Sequence, residues 1–345
     1  MKVLITGVLG YIGSVMIEEF KTLGNLEVTG LDTGYYARNC LYQPTPWSGT
    51  LIRKDVRDVS VEDLKGFDAI VHLGELSNDP LGELDPQVTY RINHEGSVHL
   101  AKTGKKAGVS RFVYSSSCSV YGAGTGDFKN EESDVNPQTT YAECKVLVER
   151  DVAAMADDRF SPTFLRNATA YGPSPHMRFD LVLNNLSGLA HTTREISMTS
   201  DGSPWRPLVH VVDISRAFAC VLNAPRETVH NKVLNVGETG ENFRVREIAS
   251  FIGEAFPGCP ITFGTTNHDT RSYRVNFDRI HELLPSFSCR HTARLGAVEL
   301  HDLYARIRLT GETFNHRGFT RLKQLKHLIE TGQLDGQLRW KSAAA

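Results

Sequence analysis

The sequence has no paired cysteines. Cys40, Cys118, Cys144, Cys220, Cys259 and Cys289 are scattered through 345 residues without one Cys-x-x-Cys spacing, which excludes a disulfide scaffold and a thiolate zinc site. No HxH or HExxH spacing occurs among the 13 histidines, so no metal site is expected. No apolar run approaches the ~20 residues of a membrane span. The opening Met1-Lys2-Val3-Leu4-Ile5-Thr6-Gly7 is too short a run for a signal peptide, and the cytoplasm is the expected location. A basic surplus is also missing. The formal net charge is -2, which implies no nucleic acid partner. What remains is an ordinary globular composition, 40% hydrophobic and 23% charged, long enough for a sizeable core.

Strand and helix signals alternate over the first half of the chain. Val3-Leu4-Ile5, Val28 to Leu31, Leu51-Ile52 leading to Asp55-Val56, Ala69 to Leu73, Arg111 to Ser115 and Ser161 to Arg166 read as buried strands. Helical spacing predicts helices over 12–23, 90–107 and 141–155. That order predicts an α/β fold, a doubly wound parallel sheet. Beyond residue 172 proline and glycine become frequent and the rhythm breaks, as expected of a smaller lobe completing a ligand cleft. The tail from Arg306 places Leu322, Leu325, Leu328 and Ile329 at helical spacing and reads as a docked amphipathic helix. The last residues, Lys341-Ser342-Ala343-Ala344-Ala345, carry no structural signal.

Gly7, Gly10 and Gly13 form a GxxGxxG turn between the first strand and the first helix. Glycines let the backbone approach a pyrophosphate, and the helix N-terminus offers N–H donors to it. Asp32 ends the next strand. A carboxylate there suits the hydroxyls of an adenosine ribose and repels a 2′-phosphate, favouring NAD over NADP; Arg38 nearby leaves NADP open. Tyr141 and Lys145, as YxxxK, share one helix face. A lysine cation beside a phenol stabilises the phenolate, which matters because free tyrosine has a pKa of ~10. The hydroxyl-rich strand end Ser115-Ser116-Ser117-Cys118-Ser119-Val120-Tyr121-Gly122 precedes that pair. Ser117, Tyr141 and Lys145 can therefore handle one substrate hydroxyl.

These motifs, in this order, resemble the extended short-chain dehydrogenase/reductase family, nearest its NAD-dependent nucleotide-sugar epimerase/dehydratase branch of the UDP-galactose 4-epimerase type. The resemblance covers roughly residues 1–280. It implies a Rossmann-type NAD-binding domain over 1–172, a mainly substrate-binding lobe over 173–305 with segments returning to the first, and a helical tail over 306–345. It implies that Tyr11 and Ile12 within the glycine turn, Asp55-Val56, Leu73-Gly74, Asn93 and Tyr171 serve the cofactor alongside Tyr141 and Lys145. It further implies that Ser117, Ser119, Asn185, Arg206 and Arg271 meet a nucleotide-diphosphate sugar, the two arginines gripping the diphosphate in forked fashion. Glu75, where the family usually has a small residue, and His176, in a cleft loop, are added as candidate substrate contacts. Pairing of two copies through helices around 94–107 and 141–155 is implied as well.

The departures narrow the chemistry. Sugar 4,6-dehydratases carry an Asp-Glu pair where this chain has Cys118-Ser119, and UDP-glucuronate decarboxylases carry a glutamate at the Ser119 position. Both reactions are disfavoured. Cys118, Cys144, His72 and His210 read as packing residues. Epimerisation, at C4 or a related carbon, is the leading expectation. A nucleotide-ketosugar reductase using NAD(P)H stays open, as does a non-catalytic dinucleotide sensor.

Overall fold

The computed structural model describes residues 1–82, 84–265 and 271–341. Residues 342–345, expected to be without structure, lie outside that set. Its centre is a seven-stranded sheet. From one edge the strands are Lys232–Val236, Ser161–Asn167, Arg111–Ser117, Ala69–His72, Lys2–Thr6, Glu27–Asp32 and Leu51–Arg53, and every neighbouring pair is parallel. Helices cover both faces, so Val3, Leu4, Ile5, Ile70 and Val71 are fully buried; this is why these strands read as unbroken apolar runs. Strand order reverses between Lys2–Thr6 and Ala69–His72, and a ligand crevice opens at such a point beyond the strands' carboxyl ends.

Two elements differ from the sequence reading. The third strand stops at Arg53, because the Asp55 carboxylate accepts from Arg57 N and caps a short 3-10 turn, Val56–Asp58. The long helix over 90–107 is two structures in series: a π-helical stretch, Tyr90–Gly96, running into the α-helix Ser97–Ala107. Wide turns of this kind re-aim side chains. Here Asn93 lies within it and bonds both backbone groups of Leu76, accepting from N at 2.8 Å and donating to O at 2.9 Å.

The chain crosses between lobes more than once. Lys232–Val236 returns to the main sheet beside Ser161–Asn167. Thr169–Tyr171 instead joins Trp205–His210 and Asn242–Arg244 in a separate three-stranded sheet. The first lobe's Ala123–Lys129 pairs with Ser272–Val275. A second apolar core, including Leu183, Ile248, Ile252 and Leu300, fills the smaller lobe.

The tail docks as its spacing predicts. Its helix, Arg321–Glu330, buries Leu325 and Leu328 against Leu76, Leu81, Val88 and Ile92, worth about 2 kcal/mol for each leucine. The chain then turns back along the sheet's carboxyl end, where Trp340 Nε1 donates to Thr33 O at 2.8 Å.

Candidate functional site

One continuous cleft runs along that carboxyl end. The glycine turn forms its floor. Gly7 has φ 72°, and a Cβ there would lie 2.8 Å from Gly74 Cα. A Cβ on Gly13 would lie 2.4 Å from Gly7 O. No larger residue fits either place without moving backbone. The helix Tyr11–Leu23 starts at Gly10 without a side-chain cap, leaving its first N–H groups to face an anion. Thr6 Oγ1 holds the opposite wall, accepting from Leu73 N at 3.2 Å and Gly74 N at 3.1 Å. Gly10, Tyr11 and Ile12 complete the turn, while Asp32, Asp55 and Val56 line one end of the cleft. Burial pushes the Asp32 carboxyl up, against bonds from Gly34 N at 2.7 Å and Leu9 N at 3.0 Å. A floor of uncapped amides with a buried carboxylate at one end fits the pyrophosphate and adenosine ribose of a dinucleotide.

The other end carries ionisable side chains. Thr139 caps the helix Thr140–Ala153 and sets Tyr141 in its first turn. Lys145 follows one turn later, its Nζ 5.3 Å from the Tyr141 ring centre. The ammonium donates to Ser115 O and to Glu75 Oε2, each at 2.5 Å. Glu75 therefore points away from open solvent, with its side chain 3% exposed. Its other oxygen accepts from Tyr114 at 2.7 Å and Ser97 at 2.9 Å. Burial pulls the Lys145 pKa down, and Glu75 together with Tyr141 and Cys144 more than offsets it, so the net shift is upward. Burial raises the Tyr141 pKa. Lys145 and a hydrogen bond from Ser117 act to lower it, while Glu75 and Asp79 act to raise it.

Arg206 and Arg271 come together from distant parts of the sequence, Arg206 Nη1 donating to Arg271 O at 2.6 Å. Arg271 in turn pairs with Asp79, which also accepts from Thr139. The Ser119 hydroxyl is buried and has no partner among the described residues.

Other candidates lie away from the cofactor cleft. Asn185 donates to Phe179 O at 2.8 Å. His176 is 4% exposed, lies 3.8 Å from Cys40 Sγ and is pushed down to about 4 by burial. Tyr171 packs edge-on against His210, and its neighbour Ala170 lines the cleft instead. Asn93 braces Leu76, as described above.

The cleft also has walls that motif reading missed: Tyr35, Tyr36, Ser115, Arg178 and Arg321. Arg178 grips Asp180 through two bonds at 2.9 and 3.1 Å, and the Arg178-Phe179-Asp180 spacing is the one signal that could have singled it out. Arg321 had no local signal. Among the described residues, no cluster of three or more His, Cys, Asp or Glu side chains is placed to hold a metal ion. No helix among them is long and apolar enough to cross a membrane.

Comparison with known proteins agrees with this geometry. Residues 3–237 match the NAD dependent epimerase/dehydratase family. A UDP-glucose 4-epimerase of Lactobacillus helveticus is 29% identical over 259 residues, covering 69% of this chain and 76% of that protein. A UDP-glucose 4-epimerase of Mycolicibacterium smegmatis is 28% identical over 300 residues, covering 82% of this chain and 92% of that protein. The solved structure of MoeE5 in complex with UDP-glucuronic acid and NAD superposes with a TM-score of 0.76 at 27% identity, covering 90% of this chain and all of that one. With more than half its length matched and a glycine floor shaped for a dinucleotide, the chain belongs to the NAD dependent epimerase/dehydratase family, within the extended short-chain dehydrogenases/reductases, and NAD is its cofactor.

Proposed function

We propose that the protein is a nucleotide-sugar 4-epimerase acting on a UDP-sugar through a transient 4-ketosugar. The observation that carries this reading is the set at the closed end of the cleft, Tyr141 hydrogen-bonded by Ser117 and flanked by Lys145, with no dehydration pair beside it. Cys118, at the position of the missing acid, is buried, donates to Arg166 O at 3.2 Å and has its thiol pushed well up by burial. It is no proton carrier near neutral pH. The relatives named as UDP-glucose 4-epimerases, and the neighbour holding UDP-glucuronic acid with NAD, support the substrate class.

Bound in the cleft, NAD would supply the reversible hydride acceptance that inverting the sugar carbon requires. The chain's own groups supply the proton chemistry. Tyr141 removes the sugar hydroxyl proton, Ser117 orients that oxygen, and Lys145 stabilises the phenolate. Glu75 keeps Lys145 charged and in place rather than touching sugar. Arg206 and Arg271 hold the diphosphate while the sugar turns between two faces, with Ser119 a further substrate contact, so remote binding energy positions the reacting carbon. In this reading residues 1–172 chiefly serve the cofactor, 173–305 the substrate, and the protein acts in the cytoplasm as a homodimer through the helices Ser97–Ala107 and Thr140–Ala153.

The test is to incubate purified protein with UDP-glucose or UDP-galactose, adding no cofactor, and follow the anomeric protons by NMR. Interconversion supports the proposal. Failure to interconvert any UDP-sugar, together with net oxidation of added NAD(P)H by a ketosugar, identifies a reductase instead. Tightly held NAD with neither reaction points to a sensor.

A further inference from the structure

The residue that stands out beyond the known machinery is Arg321. It opens the last helix of the tail, is 2% exposed, and lines the same cleft as the glycine floor. Its guanidinium lies over the Tyr36 ring at 4.2 Å, and Nη2 donates to His176 O at 2.9 Å. Nη1 is buried and has no partner among the described residues. No carboxylate among them forms an ion pair with Arg321. Asp180 is occupied by Arg178, and Asp32 is held by Leu9 N and Gly34 N. Asp180 and Asp32 act on Arg321 only from beyond ion-pair distance, and a buried cation with an unpartnered donor and no direct counter-ion is costly, so this arrangement calls for an anion.

We infer that Arg321 is a ligand for the diphosphate of the dinucleotide, and that the C-terminal tail is a working wall of the cofactor site. The inference rests on the dinucleotide occupying this cleft. Two surfaces of one cleft then meet the diphosphate: uncapped amides at the start of the helix Tyr11–Leu23, and one guanidinium carried by the tail. The forked donor geometry of arginine suits phosphate oxygens. Burial pushes the Arg321 pKa down to about 10; Tyr36, Asp180 and Asp32 act to raise it and Arg178 to lower it, and a bound diphosphate would add to the raising side.

The rest of the tail is built around the same end of the cleft. Gln324 Nε2 donates to Tyr35 O at 3.3 Å, and the Tyr35 hydroxyl donates to Leu338 O at 2.5 Å. Arg57 Nη1 donates to Gln337 O at 2.9 Å while the same arginine holds Asp55. Thus the tail clasps both chain segments, around Tyr35 and around Asp55, that flank the adenosine.

Calorimetric titration of the full chain with adenosine, ADP and ADP-ribose tests this without reference to turnover. Arg321→Gln keeps a donor for the His176 carbonyl but removes the charge. It is expected to weaken ADP and ADP-ribose about 10- to 100-fold, with adenosine changed less than about twofold. Arg321→Lys is expected to recover part of the loss. An equal fall for adenosine and ADP-ribose, or no fall for either, overturns the inference. Neither result bears on the sugar chemistry. Should the glutamine variant not fold, hydrogen exchange on the wild-type chain decides: ADP, but not adenosine, should slow exchange over residues 321–330. Equal rates with both ligands overturn the proposal.

Discussion

At the glycine end of the cleft the protein presents mostly backbone: uncapped amides, Gly7 and Gly13 where a Cβ would strike backbone, and the Asp32 carboxylate tied to two N–H groups. At the Tyr141 end it presents side chains that share charge. Lys145, Glu75 and Tyr114 form one buried group beneath the half-buried Tyr141, with Asp79 acting on Tyr141 from beside Thr139. The first end gains strength from fixed dipoles and shape. The second depends on a balance among ions in a low-dielectric setting, where the loss of one partner strands another. Binding and chemistry are thus separable, and substitutions at one end should spare the other.

The largest effect expected is at the chemical end. Tyr141→Phe should lower turnover about 10³-fold while calorimetric NAD affinity stays within about twofold. Comparable losses of both would erase the division. The reverse break is Gly13→Ala. A methyl 2.4 Å from Gly7 O forces the turn apart at about 2–3 kcal/mol, and NAD affinity should fall about 50-fold. An unchanged affinity would show that the glycine floor does not carry the cofactor.

The sheet between the two ends contributes an acid-sensitive element. His72 is fully buried, bonded to Thr6 at 2.6 Å and Ser97 at 2.7 Å, and burial holds its pKa down to about 4. An unfolded histidine titrates near 6.5. The neutral folded form therefore adds stability that is complete above pH ~6.5 and lost as pH falls toward ~4, about 3 kcal/mol in all. Chemical denaturation across that range should be steeper in pH for wild type than for His72→Asn; identical slopes would remove His72 from the account.

The smallest effect sharpens the comparison most. Glu75→Gln removes a negative charge that holds the Tyr141 pKa up. The acid limb of the turnover profile should move to lower pH, and the melting temperature should fall because Lys145 loses its counter-charge. A lower melting temperature with an unmoved acid limb would make Glu75 a packing element only.

The glycine turn and the Tyr141–Lys145 pair were legible because each works within one turn or one helix face, where spacing alone fixes geometry. The alternation of strand and helix announced the sheet for the same reason. Glu75 was read as a group facing sugar. Its pairing with Lys145 spans 70 positions and follows from strand order, which no local pattern encodes. His176 and Asn185 were read from loop position and family resemblance, and packing turned His176 toward Cys40 and Asn185 toward Phe179 O.

The sequence by itself determined where glycines bring backbone to the cleft and which phenol and ammonium share a face, since both are consequences of short-range periodicity and of glycine's missing side chain. Only the tertiary structure decided what surrounds those groups: Glu75 beneath Lys145, Arg206 beside Arg271, and a tail whose helical spacing announced that it would dock but not where. Trp340 reaches Thr33, and Arg321 reaches the cleft, because Leu325 and Leu328 bury their surface against Leu76 and Ile92. Apolar burial of that kind is non-directional, so its partner is chosen by the whole fold rather than by neighbours in the chain.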